Sequence, residues 1–150
     1  MNLLRATQSA SYHEDTMQEA LANHLELQMQ GYWPYVGSKV MREVSIPVIR
    51  RRSDVVFKVT NRKVFNIECK TNQIGNVLHQ AKDHKKWANY SYICLAHDIY
   101  VPMAMFKHLY DEGIGLIYWH GMANIFIEAL HARPSQIIDK SIREQVLEKI

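Results

Sequence analysis

"RRSDVVFKVTNRKVFNIECK", Arg51 to Lys70, is the stretch on which the reading of the whole chain turns. It divides into two alternating apolar runs around a polar turn, the pattern of a β-hairpin. Side chains alternate across a strand, so Val55, Phe57 and Val59 share one face of the first run, and Phe65, Ile67 and Cys69 share one face of the second. With Thr60-Asn61-Arg62 as the turn, Val59 faces Lys63, Phe57 faces Phe65, Val55 faces Ile67, and Asp54 falls directly opposite Glu68. One face is then apolar and seals a core. On the other face two carboxylates meet the Lys70 ammonium. A slip of one residue would scatter both sets, so the apolar pattern favours this register.

Like charges opposed across a sheet repel, a cost that a stable hairpin has no need to carry. A divalent cation between Asp54 and Glu68 reverses the sign of that interaction. Hard oxygen ligands suit Mg²⁺, which binds through one or two carboxylates and keeps waters or phosphate oxygens for its other positions. Such a cation polarises a phosphate and activates a water for attack. Lys70 can orient that water or stabilise the charge growing on phosphorus. The competing explanation is a cluster of surface ion pairs, each contributing about 0–1 kcal/mol and needing no purpose.

Outward from the hairpin, the chain alternates helices and strands. Ser11 and Glu14 have capping-box spacing, and Met17, Ala20, Leu21 and Leu25 follow at helical spacing until Gly31. "YWPY" then leads into "KVMREVSIPV", a strand ended or pushed to an edge by Pro47. After the hairpin come a helix in "NVLHQAKDHKKWANY", a buried strand "SYICLA", and a helix in "PMAMFKHLYDEG" with Pro102 near its start and Gly113 at its end. A second short strand, "IGLIYW", follows. Ser141 and Glu144 suggest a capping box for a final helix, "IREQVLEKI". The order α-β-β-β-α-β-α-β-α describes an α/β protein with a central mixed sheet of four to five strands flanked by helices. A length of 150 residues suits a single domain over 1–150, with a core at about 12–120 and a C-terminal helical extension at about 134–150.

Composition excludes several classes. Hydrophobic residues make up 47% and charged residues 22%, which argues against disorder. No apolar run is long enough to span a bilayer, and "MNLLRATQSASYHEDT" turns acidic too soon for a signal peptide. A soluble intracellular protein is the expectation, with no membrane partner. Cys69 and Cys94 lack C-x-x-C spacing, and the eight histidines form no H-x-x-x-H or H-E-x-x-H pattern, so neither a disulfide framework nor a transition-metal site is expected. The net charge of +3 is unevenly spread: Lys39 to Lys70 holds nine Lys or Arg against Glu43, Asp54 and Glu68. A basic centre suits a phosphate-rich partner.

Asp54, a hairpin, then Glu68-Cys69-Lys70 resembles the active-site signature of the PD-(D/E)xK nuclease superfamily, which includes Holliday-junction-resolvase-like enzymes. The resemblance covers roughly residues 12 to 120, and Ser53 stands where the motif's name has proline, a position that varies in the family. It implies a restriction-endonuclease-like fold and Mg²⁺- or Mn²⁺-dependent cleavage of DNA. Asp54 and Glu68 would be ligands and Lys70 the catalytic lysine. Family members often add an acid from the first helix, which points to Glu19, with Glu43 on the preceding strand as its rival and Glu14 read as a cap. Gln80 resembles a glutamine found near the metal in resolvase-like relatives.

Among the cationic residues, Arg51 and Arg52 beside Asp54, and Lys82 and Lys86 within "KDHKK", are candidates for contacting the nucleic-acid backbone. Trp33, Tyr35, Trp87, Tyr90, Tyr92, Tyr118 and Trp119 read as core aromatics before base-stacking ones. Cys69, facing away from Lys70, should be inert. The final helix offers a face for intramolecular docking or for a homodimer. From a different functional class, the rival expectation is a catalytically silent nucleic-acid-binding or assembly subunit on the same scaffold.

Overall fold

The computed structural model describes residues 14–27, 39–60, 62–72 and 74–150. The hairpin forms as its alternation requires. Strands β2 (Arg51–Thr60) and β3 (Lys63–Lys70) pair antiparallel, with Val55 opposite Ile67 and Phe57 opposite Phe65. Nearer the turn the register shifts, and Thr60, not Val59, opposes Lys63. The reason lies in burial. Val59 is 6% exposed whereas Thr60 and Lys63 are both in water, so the irregularity keeps Val59 on the core side and pairs exposed with exposed.

Strand β1 (Lys39–Ile46) lies antiparallel against β2, and Pro47 closes it by opening a single 3₁₀ turn, Pro47–Ile49. On the other side of the hairpin, β4 (Tyr90–Ala96) runs parallel to β3 and β5 (Gly115–His120) runs parallel to β4. The sheet ends in β6 (Ile125–Leu130), antiparallel to β5. Among the described residues the sheet is therefore mixed and six-stranded, in the spatial order of the sequence. This corrects the expected four to five strands. β6 has Ile125 and Ile127 half exposed at the sheet edge, so it lacks the buried apolar run that marks the inner strands.

Helix α1, residues 14–27, covers one face of the sheet. Its Met17, Leu21 and Leu25, four residues apart, pack on Val55, Phe57, Ile67, Cys69 and Cys94. The opposite face takes the parallel crossovers. Helices α2 (Val77–His84) and α3 (Met103–Glu112) bury Val77, Ala81 and Leu109 against Ile93, Leu95 and Leu116. Helix α4 (Lys140–Lys149) sets Ile142 and Val146 on Val44, Ile46, Val56 and Trp87.

Several boundaries differ from expectation. α2 stops at His84, because the next residues tighten into a turn that sends Trp87 and Ala88 into the core. Asp139, not Ser141, caps α4, its Oδ1 accepting the Ser141 and Ile142 amides at 2.9 and 3.1 Å. The helical part of the extension is thus shorter than 134–150. α3 ends as read, with Gly113 in the left-handed region at φ 70°, where a side chain would be strained. The Ser11 cap, the Gly31 stop and the "YWPY" aromatics lie outside the described residues. No described helix is long and apolar enough to cross a membrane.

Candidate active site

Beyond the Val55–Ile67 pair, the next residues along the two strands are Asp54 and Glu68. Both are nearly buried, at 8% and 3% exposure. The Cys69 amide donates to Asp54 Oδ2 at 2.8 Å, which fixes that carboxyl across the strand gap. Burial above all, and the neighbouring Glu68 charge after it, push the Asp54 carboxyl up to about 7 against the opposing Cys69 amide. Asp54 thus holds on to a proton that an aspartic acid in water would give up.

They open onto a cavity of about 220 Å³ lined also by Glu14, Arg50, Arg51, Arg52, Lys70 and Gln80. Each lining side chain is charged or an amide. Acids from β2, β3 and the first turn of α1 thus face cations from the start of β2 and the end of β3. Glu14 is raised by its own burial, with Lys70 pulling it down and Glu68 pushing it up.

The floor behind the carboxylates is a buried polar chain. Ser53 Oγ donates to Asn66 Oδ1 at 2.5 Å, Asn66 Nδ2 donates to Ser91 Oγ at 3.0 Å, and Ser91 Oγ donates to the Ala81 carbonyl at 2.7 Å. These bonds run from β2 through β3 and β4 to α2. Satisfied networks of this kind rigidify what they connect. Ser53, next to Asp54, is the first link. Arg51 adds a second tie to α2, its Nε donating to Asp83 Oδ2 at 2.8 Å. α2 in turn carries Gln80 to the cavity.

The structure brings Asp54, Glu68, Lys70, Gln80, Arg51 and Arg52 together. It does not bring in Glu19, which is exposed on α1 and absent from the lining; Glu14, at the start of the helix, occupies that place. Glu43 is half exposed, its left-handed backbone (φ 54°) interrupts the β1 ladder opposite Asp54, and its carboxylate lies 3.9 Å from Arg52. Lys82 and Lys86 border a different cavity, about 350 Å³, at the C-terminal end of α3. There Lys82 pairs with Glu112 at 3.3 Å, Lys85 donates to the Glu112 carbonyl, and Arg133 donates to the Tyr110 carbonyl at 2.6 Å. Lys85 and Arg133 thus meet open carbonyls at this helix end, and Lys82 meets its last carboxylate.

Three residues at or beside the cavity are not marked by the sequence pattern: Glu14 reads there as a cap, Arg50 looks like its neighbours, and His84 looks like the other scattered histidines. Only His84 left a signal: it follows Gln80 by four residues and so shares its helix face. Cys69 behaves as expected, fully buried, with its thiol pushed up by Cys94 and by burial.

No family model matches the chain, and no curated protein matches it. Among solved structures, it is similar to a protein of unknown function from Silicibacter pomeroyi, with a TM-score of 0.58 and 18% identity over 89% of this chain and 80% of that one. That likeness concerns the fold alone.

Proposed function

We propose that the chain is a metal-dependent phosphodiesterase acting on DNA, a nuclease of the PD-(D/E)xK type on a restriction-endonuclease-like scaffold. One observation carries this: two buried carboxylates, Asp54 and Glu68, share a small charged cavity with Lys70, and burial first, then the Glu68 charge, raises Asp54 to about 7. An Asp54 anion so destabilised is poised to exchange its proton for a cation.

The donor set fits Mg²⁺ or Mn²⁺. Both ligands offer hard oxygens, and Asp54 Oδ2 is already engaged by the Cys69 amide. Among the described residues no group of three or more His, Cys, Asp or Glu is placed to hold a metal. Mg²⁺ binding through two carboxylates, with water and substrate phosphate completing its shell, requires no such group. When bound, the cation polarises the scissile phosphate and activates a water. Lys70, two residues beyond Glu68 on the same strand face, stabilises the charge that develops on phosphorus. Gln80 presents its amide to the cavity from α2. Arg50 and Arg52 meet the backbone phosphates on either side, and Glu14 balances the local positive charge. The cavity is too small for more than a phosphate and its neighbours, so the duplex or strand must lie across its mouth.

Incubation with linear duplex, single-stranded, nicked, flapped and four-way-junction DNA in Mg²⁺ or Mn²⁺ tests the proposal. Cleavage that disappears in Lys70→Ala and Asp54→Asn is the expected result. Absence of cleavage on every substrate removes the enzymatic proposal. Salt-dependent DNA binding without cleavage or cation uptake would instead favour a silent binding subunit.

A further inference from the structure

α2 delivers a second side chain toward the carboxylates, one turn beyond Gln80. His84 is wholly buried, as is Trp87. The Trp87 indole Nε1–H donates to His84 Nδ1 at 3.0 Å. An indole nitrogen only donates, and a neutral imidazole has one donor and one acceptor nitrogen. Nδ1 therefore accepts, and the ring hydrogen resides on Nε2. His84 Nε2 lies 3.0 Å from Glu68 Oε1. The two atoms are not aligned into a straight hydrogen bond, and neither has a hydrogen-bond partner elsewhere among the described residues.

We infer that His84 is a positioning residue for Glu68: its Nε2–H engages Oε1 and leaves Oε2 for the cation, while Trp87 selects the ring nitrogen that carries the hydrogen. The inference rests on the cation-dependent reading proposed above. Outer partners of this kind orient ligating carboxylates, and their loss lowers metal affinity about 10–100-fold. With its hydrogen on Nε2 and its Nδ1 lone pair used by Trp87, His84 cannot itself be a ligand. The edge-on packing of the two rings, centroids 5.4 Å apart, holds the arrangement rigid.

Two measurements on the full chain test it. The first is calorimetric titration with Mn²⁺ alone, near pH 7.5, of the wild type, His84→Leu and His84→Gln, with circular dichroism to verify folding. Affinity should fall about 10–100-fold in His84→Leu and recover in part in His84→Gln, whose amide still donates. The second is the ¹⁵N–¹H spectrum of the imidazoles, in which His84 should show its hydrogen on Nε2. Trp87→Phe should loosen that preference.

Equal Mn²⁺ affinity in wild type and a folded His84→Leu overturns the inference and leaves the nuclease proposal standing. A wild-type spectrum with hydrogen on Nδ1 does the same. Wild type that takes up no Mn²⁺ overturns the cation reading and the inference with it. Should His84→Leu not fold, His84→Gln and the wild-type spectrum decide the matter: affinity lost without partial recovery in His84→Gln, or hydrogen on Nδ1, overturns the inference.

Discussion

Glu68 and Cys69 are adjacent on β3 and equally hidden from water, yet they belong to opposite sides of the sheet with opposite chemistry. Cys69 meets Cys94, Met17 and Leu21 beneath α1. Glu68 meets Asp54 and His84 under α2. The α1 side is close-packed and apolar, and what it supplies is stability. The α2 side holds Ser53, Asn66, Ser91 and His84, all buried and polar, and two carboxylates of which Asp54 is held high by burial and by the Glu68 charge. Burial alone thus says little about function. What separates the faces is whether buried atoms find partners that neutralise them or partners that resist them.

The sharpest break of this contrast is removal of charge on the α2 side. Lys70→Ala should reduce cleavage at least about 10²–10³-fold with little loss of folding, by analogy with removal of one stabilising donor from a transition state. On the α1 side, Leu21→Ala should do the reverse. It is 1% exposed, so a cost of about 2–5 kcal/mol in urea denaturation is expected, with cleavage per folded molecule retained.

Asp54→Asn should move the two properties in opposite directions. The Asp54 carboxyl is raised from 3.8 to about 7 in the folded chain, so its stabilising contribution is complete below pH 3.8 and is lost as pH rises through 7. In chelator, wild type should therefore be less stable at pH 8 than at pH 5, and the asparagine variant should exceed it at pH 8 by about 1–3 kcal/mol while losing cleavage. Mn²⁺ uptake by wild type should strengthen over the same rise in pH, since the cation and the proton compete.

The smallest effects separate the two basic stretches. Arg52→Ala should weaken DNA binding several-fold and reduce its dependence on log salt concentration by about one unit. Lys82→Ala should leave DNA binding unchanged and cost about 0–1 kcal/mol through the Glu112 pair. A matching loss in both would erase the distinction drawn between them.

What could be read from the sequence followed its periodicity. Val55, Phe57, Phe65 and Ile67 dictated the hairpin register over its inner part, and with it the meeting of Asp54 and Glu68. Met17, Leu21 and Leu25 marked the helix that covers the apolar face of that hairpin. Illegible features were those set by tertiary context. The irregularity at Val59 arises from a core contact, and β6 is an edge strand half in water. Glu14 and Glu19 both stand in the same helix, but only packing decides which reaches the cavity. Lys82 and Arg52 look alike in sequence; a helix end that no local pattern announces claims the first.

One consequence of α4 concerns synthesis and not catalysis. Its Lys149 donates to the Ser45 carbonyl at 2.5 Å across 104 residues, and its Ile142 and Val146 cover Val44, Ile46 and Val56. A ribosome releases β1 and β2 long before α4, so a nascent chain carries an uncovered greasy strip through most of translation. Quality-control factors should meet that strip first, and messages cut short before residue 140 should yield aggregates, not half-active fragments.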